Sequence, residues 1–191
     1  MATCARREGD LDVLRNAGAL AQAADVTDER ALLDLTERIG KEWGGLDALI
    51  NNAAVLYTGP ILDQPLDEWL ESLDNNLTAP LLVTRAALRL MPAGNIVNVT
   101  SGLGRAPLST YGAYGVSKAG LDMLTRVLAL ELGAPYRVNA LDPGEARTRM
   151  NPEADEDPAA VVPAARALAG LGPEGPTGLR FGKDGLERPW A

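Results

Sequence analysis

Tyr114 and Lys118 are the residues of this sequence whose types and spacing could do chemistry together. They lie four positions apart in a stretch of helical periodicity, so both side chains are expected on one helix face. A phenol has an ordinary pKa of about 10, and an ammonium group beside it can lower that pKa by about 1 to 3. The pair therefore predicts a tyrosine that exchanges a proton near neutral pH. The simpler interpretation of the spacing alone is a half-buried tyrosine beside a solvated lysine.

Other polar residues follow directly after apolar runs that read as strands. Ser101 comes after NIVNVT (95–100), and Asn52 comes after LDALIN (46–51). Open α/β sheets bind their ligands at the carboxyl ends of parallel strands. We therefore expect Ser101, Tyr114 and Lys118 to meet at that edge of a sheet.

The elements that must hold these residues alternate along the chain. Short apolar runs and longer stretches of helical period predict βαβ units, a parallel sheet covered on both faces and an α/β fold. The predicted strands are residues 18–23, 46–51, 95–100, 137–142 and 178–182, and the predicted helices are residues 27–43, 66–91 and 109–133.

Local signals refine the helices. Thr27 or Asp28 is expected to cap the first of them, and Pro80 should kink or divide the second. The third, residues 109–133, is expected to be capped by Ser109. Its buried stripe is predicted to run through Val116, Leu124 and Val127.

Composition excludes several classes of function. The 191 residues suit one domain, and 18 Lys and Arg against 26 Asp and Glu give a net charge of −8, which argues against a nucleic-acid or anionic-membrane partner. One cysteine, Cys4, and no histidine argue against a disulfide framework, a zinc site and Ser-His-Asp catalysis. No apolar run approaches the roughly 20 residues of a membrane span, and the N-terminus lacks the apolar core of a signal peptide. We expect a soluble, cytoplasmic protein.

GLGPEG at residues 170–175 fits the dinucleotide pattern G-x-G-x-x-G. That pattern binds a pyrophosphate only when it follows a strand and opens a helix. Here a helical run precedes it, and Pro173 and Pro176 oppose a following helix. We interpret it as a helix C-cap and loop.

Taken together, the sequence resembles the short-chain dehydrogenase/reductase family from about Ala5 to the C-terminus. The resemblance rests on the order and spacing of ADVTD (24–28), LDALINNAA (46–54), DNNLTAP (74–80), IVNVTS (96–101), YGVSK (114–118) and RVNALDPGEART (137–148). It implies a single Rossmann-like domain, residues 1–191, with a doubly wound, mostly parallel sheet. The family's phosphate-binding glycine loop lies upstream of ATCARR, so the resemblance also implies an N-terminally truncated domain that lacks the first strand and first helix.

The resemblance implies roles for individual residues. The catalytic set carries over as Asn76, Ser101, Tyr114 and Lys118: Tyr114 protonates a carbonyl oxygen, Ser101 hydrogen-bonds it, Lys118 holds the nicotinamide ribose and Asn76 anchors a relay water. Tyr111 is the alternative tyrosine, but it lacks a lysine four positions on. The simpler roles are a strand-end turn for Ser101 and repair of the broken helix for Asn76.

A nicotinamide cofactor is implied in the same way. The expected contacts are Arg6, Asp25, Val26, Asn52, Ala53, Ala54, Pro143, Gly144 and Thr148, together with Tyr114 and Lys118. Ala54 stands where the family usually has glycine. Arg6 stands after a strand where an acid would select NAD, so NADP is preferred, with NAD as the alternative.

The absent first strand would lie in the middle of the sheet. An open gap there would leave buried main-chain groups unpaired. Either the natural chain is longer, which we favour, or the ATCAR strand closes onto LDALIN, or another segment or chain fills the gap.

The leading hypothesis is a homo-oligomeric NADP-dependent carbonyl reductase or alcohol dehydrogenase of small or medium substrates. Its subunits would pair through residues 66–91 and 109–133. The alternatives are a catalytically weak or inactive remnant that acts as a binding or scaffold subunit, and a sugar-nucleotide epimerase. The segment after Met150 is short for an epimerase substrate domain.

Overall fold

The computed structural model describes residues 1–190 as an α/β fold. Its strands are β1 Ala2–Ala5, β2 Leu20–Ala23, β3 Ala48–Asn51, β4 Gly94–Val99, β5 Tyr136–Asp142, β6 Arg180–Gly182 and β7 Glu187–Arg188. Its helices are α1 Asp12–Asn16, α2 Glu29–Trp43, α3 Leu66–Leu73, α4 Ala79–Ala87, α5 Gly112–Leu132 and α6 Val162–Ala169. The α/β prediction and all five predicted strands are confirmed, whereas the short α1 and β7 were not predicted.

The strands form two separate sheets. β3, β4, β5 and β6 are parallel in that order, and β7 adds antiparallel to β6. β1 and β2 pair parallel in a sheet of their own. Val99 of β4 pairs with Leu141 of β5, so the carboxyl ends of these two strands lie side by side.

The central strands β4 and β5 are buried on both faces of the five-stranded sheet. Successive side chains of each strand point to opposite sides. Ile96 and Val138 face α4 and α5, where they pack with a cluster that includes Met91. Val97 and Leu141 face α6. This explains the apolar runs of the central strands, which are typical of a doubly wound sheet.

The helix predicted over residues 66–91 is divided, as Pro80 indicated. α3 ends at Leu73, a π-helical turn covers Asp74–Thr78, and α4 begins at Ala79. A proline has no N–H to continue the α-helical ladder, and a single π-turn accommodates such an interruption. The turn carries Asn76 inward, to a fully buried position.

The predicted cap of α2 is confirmed, and the predicted cap of α5 is wrong. Asp28 caps α2 by accepting from the N–H groups of Arg30 and Ala31 at 2.9 and 3.3 Å. Ser109 does not cap α5, which starts after Tyr111 without a side-chain cap. The loop before α5 therefore ends two residues later than predicted.

The predicted buried stripe of α5 is wrong for Val116 and Val127, whereas Leu124 packs against the core as predicted. Val116 and Val127 are 47% and 37% exposed, and the buried face holds Ser117, Lys118 and Leu121. The buried face holds polar groups where it meets the carboxyl end of the sheet, and it buries Leu128 and Ala129 against the core.

A cavity of about 1240 Å³ separates the two sheets. It is lined by β1 on one side and β3 on the other, with Leu32, Leu35 and Ile39 of α2 among its apolar wall residues. The alternative in which the ATCAR strand closes onto LDALIN is therefore wrong, because β1 pairs with β2 alone.

GLGPEG follows a helix, as interpreted from the sequence. α6 ends at Ala169, and Gly170 caps it by donating to the carbonyls of Arg166 and Ala167. A turn closed by Gly175 N–H to Gly172 O then leads towards β6. The segment opens no helix.

Candidate active site

Tyr114 and Lys118 lie on one face of α5, as their spacing predicted. The Lys118 ammonium lies 5.6 Å from the centre of the Tyr114 ring. It donates a hydrogen bond of 2.8 Å to the carbonyl of Val99, the last residue of β4. The lysine is 2% exposed, so it ties the helix to the carboxyl end of the sheet.

The direction of the Tyr114 pKa differs from the sequence-based prediction. Burial raises the pKa of the phenol above its ordinary value, a hydrogen-bonding interaction with Ser101 lowers it, and Asp142 raises it further. Burial also lowers the pKa of Lys118 to about 8, against the attraction of Asp122. The expected acidification of Tyr114 is therefore wrong for the chain by itself, because desolvation of the phenol is the largest effect on its pKa and Lys118 is not among the causes of the shift.

Ser101 lies where the sequence predicted, immediately beyond β4. Its hydroxyl caps a 3₁₀ turn, Gly102–Gly104, by accepting from Leu103 N–H at 3.2 Å. It also lies close enough to the Tyr114 phenol to lower its pKa. Ser101, Tyr114 and Lys118 therefore meet at the carboxyl end of the sheet.

Asn76 is tied into the fold by its whole amide. Its oxygen accepts from Val55 N–H at 2.8 Å, and its nitrogen donates to Val55 O at 2.9 Å and to the Ser117 hydroxyl at 3.0 Å. Ser117 donates in turn to the Tyr114 carbonyl at 2.7 Å. These contacts join the loop after β3 to α5. The simpler role expected from the sequence, repair of the divided helix, is wrong, because none of these partners lies in that helix.

A second polar chain behind the site was not predicted. Asn51 donates to the Asn98 side-chain oxygen at 2.8 Å and to the Thr84 hydroxyl at 3.2 Å. Asn98 donates to the Thr125 hydroxyl at 2.9 Å. The chain links β3, β4, α4 and α5, and the asparagines inside the apolar runs LDALIN and NIVNVT were its signal.

Five of the predicted cofactor residues line the same cavity, the one between the two sheets. They are Arg6, Val26, Asn52, Ala53 and Ala54. Arg6 is exposed and pairs with Glu71 at 3.2 Å, and Asn52 and Ala53 are exposed just beyond β3. The carboxyl ends of β1 and β3 therefore open on one surface.

The remaining predicted cofactor residues make local turns. Asp25 accepts from the N–H and the hydroxyl of Thr27 at 2.9 and 2.7 Å, and these bonds hold the pKa of its carboxyl below the ordinary value. Thr148 is exposed and accepts from Met150 N–H at 3.2 Å. Pro143 and Gly144 follow β5, and Gly144 has a φ of +66° that favours glycine.

Sequence reasoning missed three charged residues beside the site. Asp122 and Asp142 lie near Lys118 and Tyr114, as their effects on those two pKa values indicate. Arg180 binds Asp142 and is 1% exposed. Asp122 could have been found, since it lies one helical turn beyond Lys118, and a charged residue in the strand GLRFG was a further signal.

Within residues 1–190, no helix is long and apolar enough to cross a membrane. The same residues contain no group of three or more His, Cys, Asp or Glu side chains that could hold a metal ion.

The known proteins that this chain resembles are dehydrogenases and reductases. A family model described as short chain dehydrogenase matches residues 1–159. The chain is 35% identical over 136 residues to a trans-4-hydroxycyclohexanecarboxylate dehydrogenase of Sinomonas cyclohexanicum, a match that covers 69% of this chain and 52% of that protein. It is 43% identical over 121 residues to dehydrogenase/reductase SDR family member 4 of Bos taurus, covering 61% and 43%. The chain spans about half the length of the curated relatives it matches.

Solved structures resemble this one over most of their length. One, from Shigella flexneri 2a, is described as a short chain dehydrogenase in complex with NADP; it is 27% identical with a TM-score of 0.88, over 96% of this chain and 85% of that chain. Another, from Escherichia coli CFT073 and complexed with NADPH, is 27% identical with a TM-score of 0.86, over 95% and 85%.

Proposed function

Because the chain belongs to the short-chain dehydrogenase/reductase family, we propose that it transfers a hydride between NADP(H) and a small or medium carbonyl or alcohol substrate, with Tyr114 as general acid and base. The observation that carries the proposal is the meeting of Tyr114, Lys118 and Ser101 at the carboxyl end of β4. Ligands of open α/β sheets bind at this edge.

The protein side of the chemistry is proton transfer. Because burial raises the pKa of Tyr114, the phenol stays protonated at neutral pH and can donate its proton to the oxygen of a reduced carbonyl group. Ser101 has a hydroxyl that can hydrogen-bond the same oxygen. In the oxidation direction, the Lys118 ammonium stabilises the phenolate that must accept the alcohol proton.

The residues at the ends of β1 and β3 fit a phosphorylated nucleotide. Arg6 and Arg7 follow β1, where their guanidinium groups are 52% and 71% exposed and can pair with a phosphate at the cost of their bonds to Glu71 and Asp10. Asn52 and Ala53 would contact the nucleotide from the β3 side. When bound, the nicotinamide supplies or accepts the hydride.

The proposal is tested by binding and turnover in the same variants. Titration with NADPH, followed by fluorescence or thermal shift, is expected to show binding in the wild type and equally in Tyr114→Phe. The wild type is expected to oxidise trans-4-hydroxycyclohexanecarboxylate with NADP and to reduce members of a panel of ketones and aldehydes with NADPH. Tyr114→Phe should lose both activities. Retained turnover in that variant would refute the assigned acid, and absence of binding at millimolar NADPH would refute the function.

Cofactor preference has its own test. Arg6→Ala is expected to weaken NADPH binding by about tenfold or more, since one charge-assisted contact is removed, while NADH binding stays unchanged. Arg38→Ala, an exposed arginine on α2 that does not line the cavity, is the matched control. Equal losses for both cofactors would contradict the NADP preference.

A binding or scaffold role without catalysis is favoured by one observation. β1 and β3, whose carboxyl ends would both contact the nucleotide, lie in separate sheets with a cavity between them. A chain of this kind would hold NADPH weakly and turn over slowly. The NADPH titration distinguishes the two functions.

Self-association is the remaining part of the proposal. α3 and α5 carry exposed apolar side chains, among them Leu66 at 70%, Met123 at 54% and Leu130 at 85%. Because α3 packs against α5, these side chains can contribute to one exposed apolar surface, and large surfaces of that kind mark interaction sites. Light scattering is expected to give a dimer or larger oligomer, and Leu130→Glu should reduce its mass; a wild-type monomer would contradict this part.

A further inference from the structure

A buried ionic cluster lies beneath the candidate active site. Arg180 of β6 is 1% exposed and donates through Nη2 to Asp142 Oδ2 at 2.8 Å. Its Nε lies 3.9 Å from Oδ2 of Asp122, which is 6% exposed. A buried ion pair is seldom more stabilising than apolar side chains of the same size. The position of this cluster, next to the reacting groups, therefore calls for another reason.

The two carboxylates lie on the elements that carry the candidate active groups. Asp142 ends β5, beside the end of β4, and a side-chain carbon built on Gly102 would lie 3.6 Å from its Oδ2. Gly102 directly follows Ser101. Asp122 lies on α5, one turn beyond Lys118. The Arg180 guanidinium therefore spans from the end of the sheet to the helix that carries Tyr114.

The charges of the cluster alternate. Asp142 raises the pKa of Tyr114, Asp122 raises that of Lys118, and Arg180 opposes the effect of burial on Asp122. An arginine between two carboxylates reduces the negative potential that each exerts on its surroundings. Without the guanidinium, the charge of Asp142 would act on the phenol with less compensation.

Other charged groups face this region from the neighbouring elements. Lys118 and Asp122 face it from α5, Arg105 from the turn after β4, and Lys183 from the end of β6. Lys183 is itself paired with Glu156. Arg180 is the one cation among the described residues that forms an ion pair with either Asp142 or Asp122.

We propose that Arg180 is a positioning residue of the reaction. This proposal rests on the proposed function only for the role of Tyr114. It binds Asp142, faces Asp122 and so holds α5 against the ends of β4 and β5 while it compensates the charge of Asp142 at the phenol. Asp142 and Arg180 form an opposed pair: the carboxylate disfavours the phenolate, and the guanidinium reduces that effect.

The test measures the ionisation of Tyr114 directly, in the chain without cofactor or substrate. NMR of isotope-labelled tyrosine ring carbons gives four signals, one for each of the four tyrosines, and Tyr114→Phe identifies the relevant one. In Arg180→Met the pKa of Tyr114 is expected to rise by about 0.5 or more, and in Asp142→Asn to fall by a similar amount. Arg180→Met/Asp142→Asn should lie between the two.

Opposite shifts distinguish this role from a structural one. Loosening of the site would admit water in both variants and lower the pKa of Tyr114 in both. A common direction, or no shift in either, would overturn the proposal. If Arg180→Met does not fold, comparison of Asp142→Asn with the double variant still measures the effect of the guanidinium. The pKa of Tyr114 must then be higher in the double variant than in Asp142→Asn.

Turnover provides a second, separate readout. In the oxidation of trans-4-hydroxycyclohexanecarboxylate with NADP, the pH dependence of kcat should move in the same two directions as the NMR titration. A chain that shows opposite NMR shifts but binds no NADPH would refute the proposed function and keep the compensation of the Asp142 charge by Arg180. Turnover with no shift of the pH profile would refute the role and keep the function.

Discussion

Lys118→Met should change the stability of the protein in a strongly pH-dependent way. Burial lowers the pKa of Lys118 from 10.5 to about 8. A difference of about 2.5 in pKa corresponds to about 3 kcal/mol of differential stability between the protonated and neutral forms. The folded wild type carries this cost below about pH 8, where the lysine is charged in both the folded and unfolded states.

The sign follows from proton binding. Between about pH 8 and about pH 10.5 the unfolded chain binds the proton and the folded chain does not, so wild-type stability rises with pH across this window. Lys118→Met lacks the titrating group. The free energy of unfolding of the variant minus that of the wild type should therefore fall by about 2 to 3 kcal/mol between pH 7 and pH 10.

Urea denaturation of both proteins at several pH values measures this difference. The hydrogen bond from Lys118 to Val99 O is lost in the variant at every pH, and it shifts the difference by a constant without changing its slope. Lys41→Met is the control, because that side chain is 79% exposed and leaves no desolvation cost to relieve. A difference that stays level with pH for Lys118→Met would refute the buried-ammonium description.

Four further substitutions test the fold by urea denaturation. Gly94→Ala should lower the free energy of unfolding by about 2 kcal/mol or more, since φ is +144° and the new carbon would lie 2.2 Å from Asp47 O. Gly18→Ala is its control, because Gly18 has φ +81° in open space, and it should cost only about 1 kcal/mol. Equal costs would contradict the steric argument. Asp28→Ala should cost about 1 kcal/mol through loss of the α2 cap, and a neutral result would refute it. Asn76→Ala should cost about 3 kcal/mol or more, because three buried partners lose their hydrogen bonds; a loss below about 1 kcal/mol would show that the amide is dispensable.

The sheet could be predicted from sequence because burial on both faces leaves short runs that are rich in apolar residues. NIVNVT and RVNALD correspond to β4 and β5 within one residue at each end. The carboxyl ends of these strands also locate Ser101. Strand order and the separation of β1 from β3 depend on long-range pairing, which no local pattern in the sequence contains.

The face of α5 could not be predicted from apolar spacing. Val116 and Val127 suggested one face, but Lys118 and Ser117 are buried on another because they hydrogen-bond to Val99 and Asn76. Tertiary partners make the burial of polar groups favourable, and periodicity does not contain that information. The direction of the Tyr114 pKa was wrong for the same reason, since the depth of burial is set by the packed structure.

Arg180 stands out in the sequence as a charged residue inside a predicted strand, but nothing in the sequence marks it as a partner of the site. It lies 38 residues from Asp142 in the chain, and an arginine in a short C-terminal strand is ordinarily exposed. Only the parallel pairing of β5 with β6 brings its guanidinium to the two carboxylates.

The cavity between β1 and β3 has a consequence for cooperativity. Within residues 1–190 no main-chain ladder joins the β1–β2 pair to the larger sheet, and the surface ion pairs that cross, Arg6 with Glu71 and Arg149 with Asp10, contribute at most about 1 kcal/mol each. The packing of α2 against α4 supplies most of the remaining connection. The amide protons of β1 and β2 should therefore exchange with deuterium by a partial opening that leaves β4 and β5 protected.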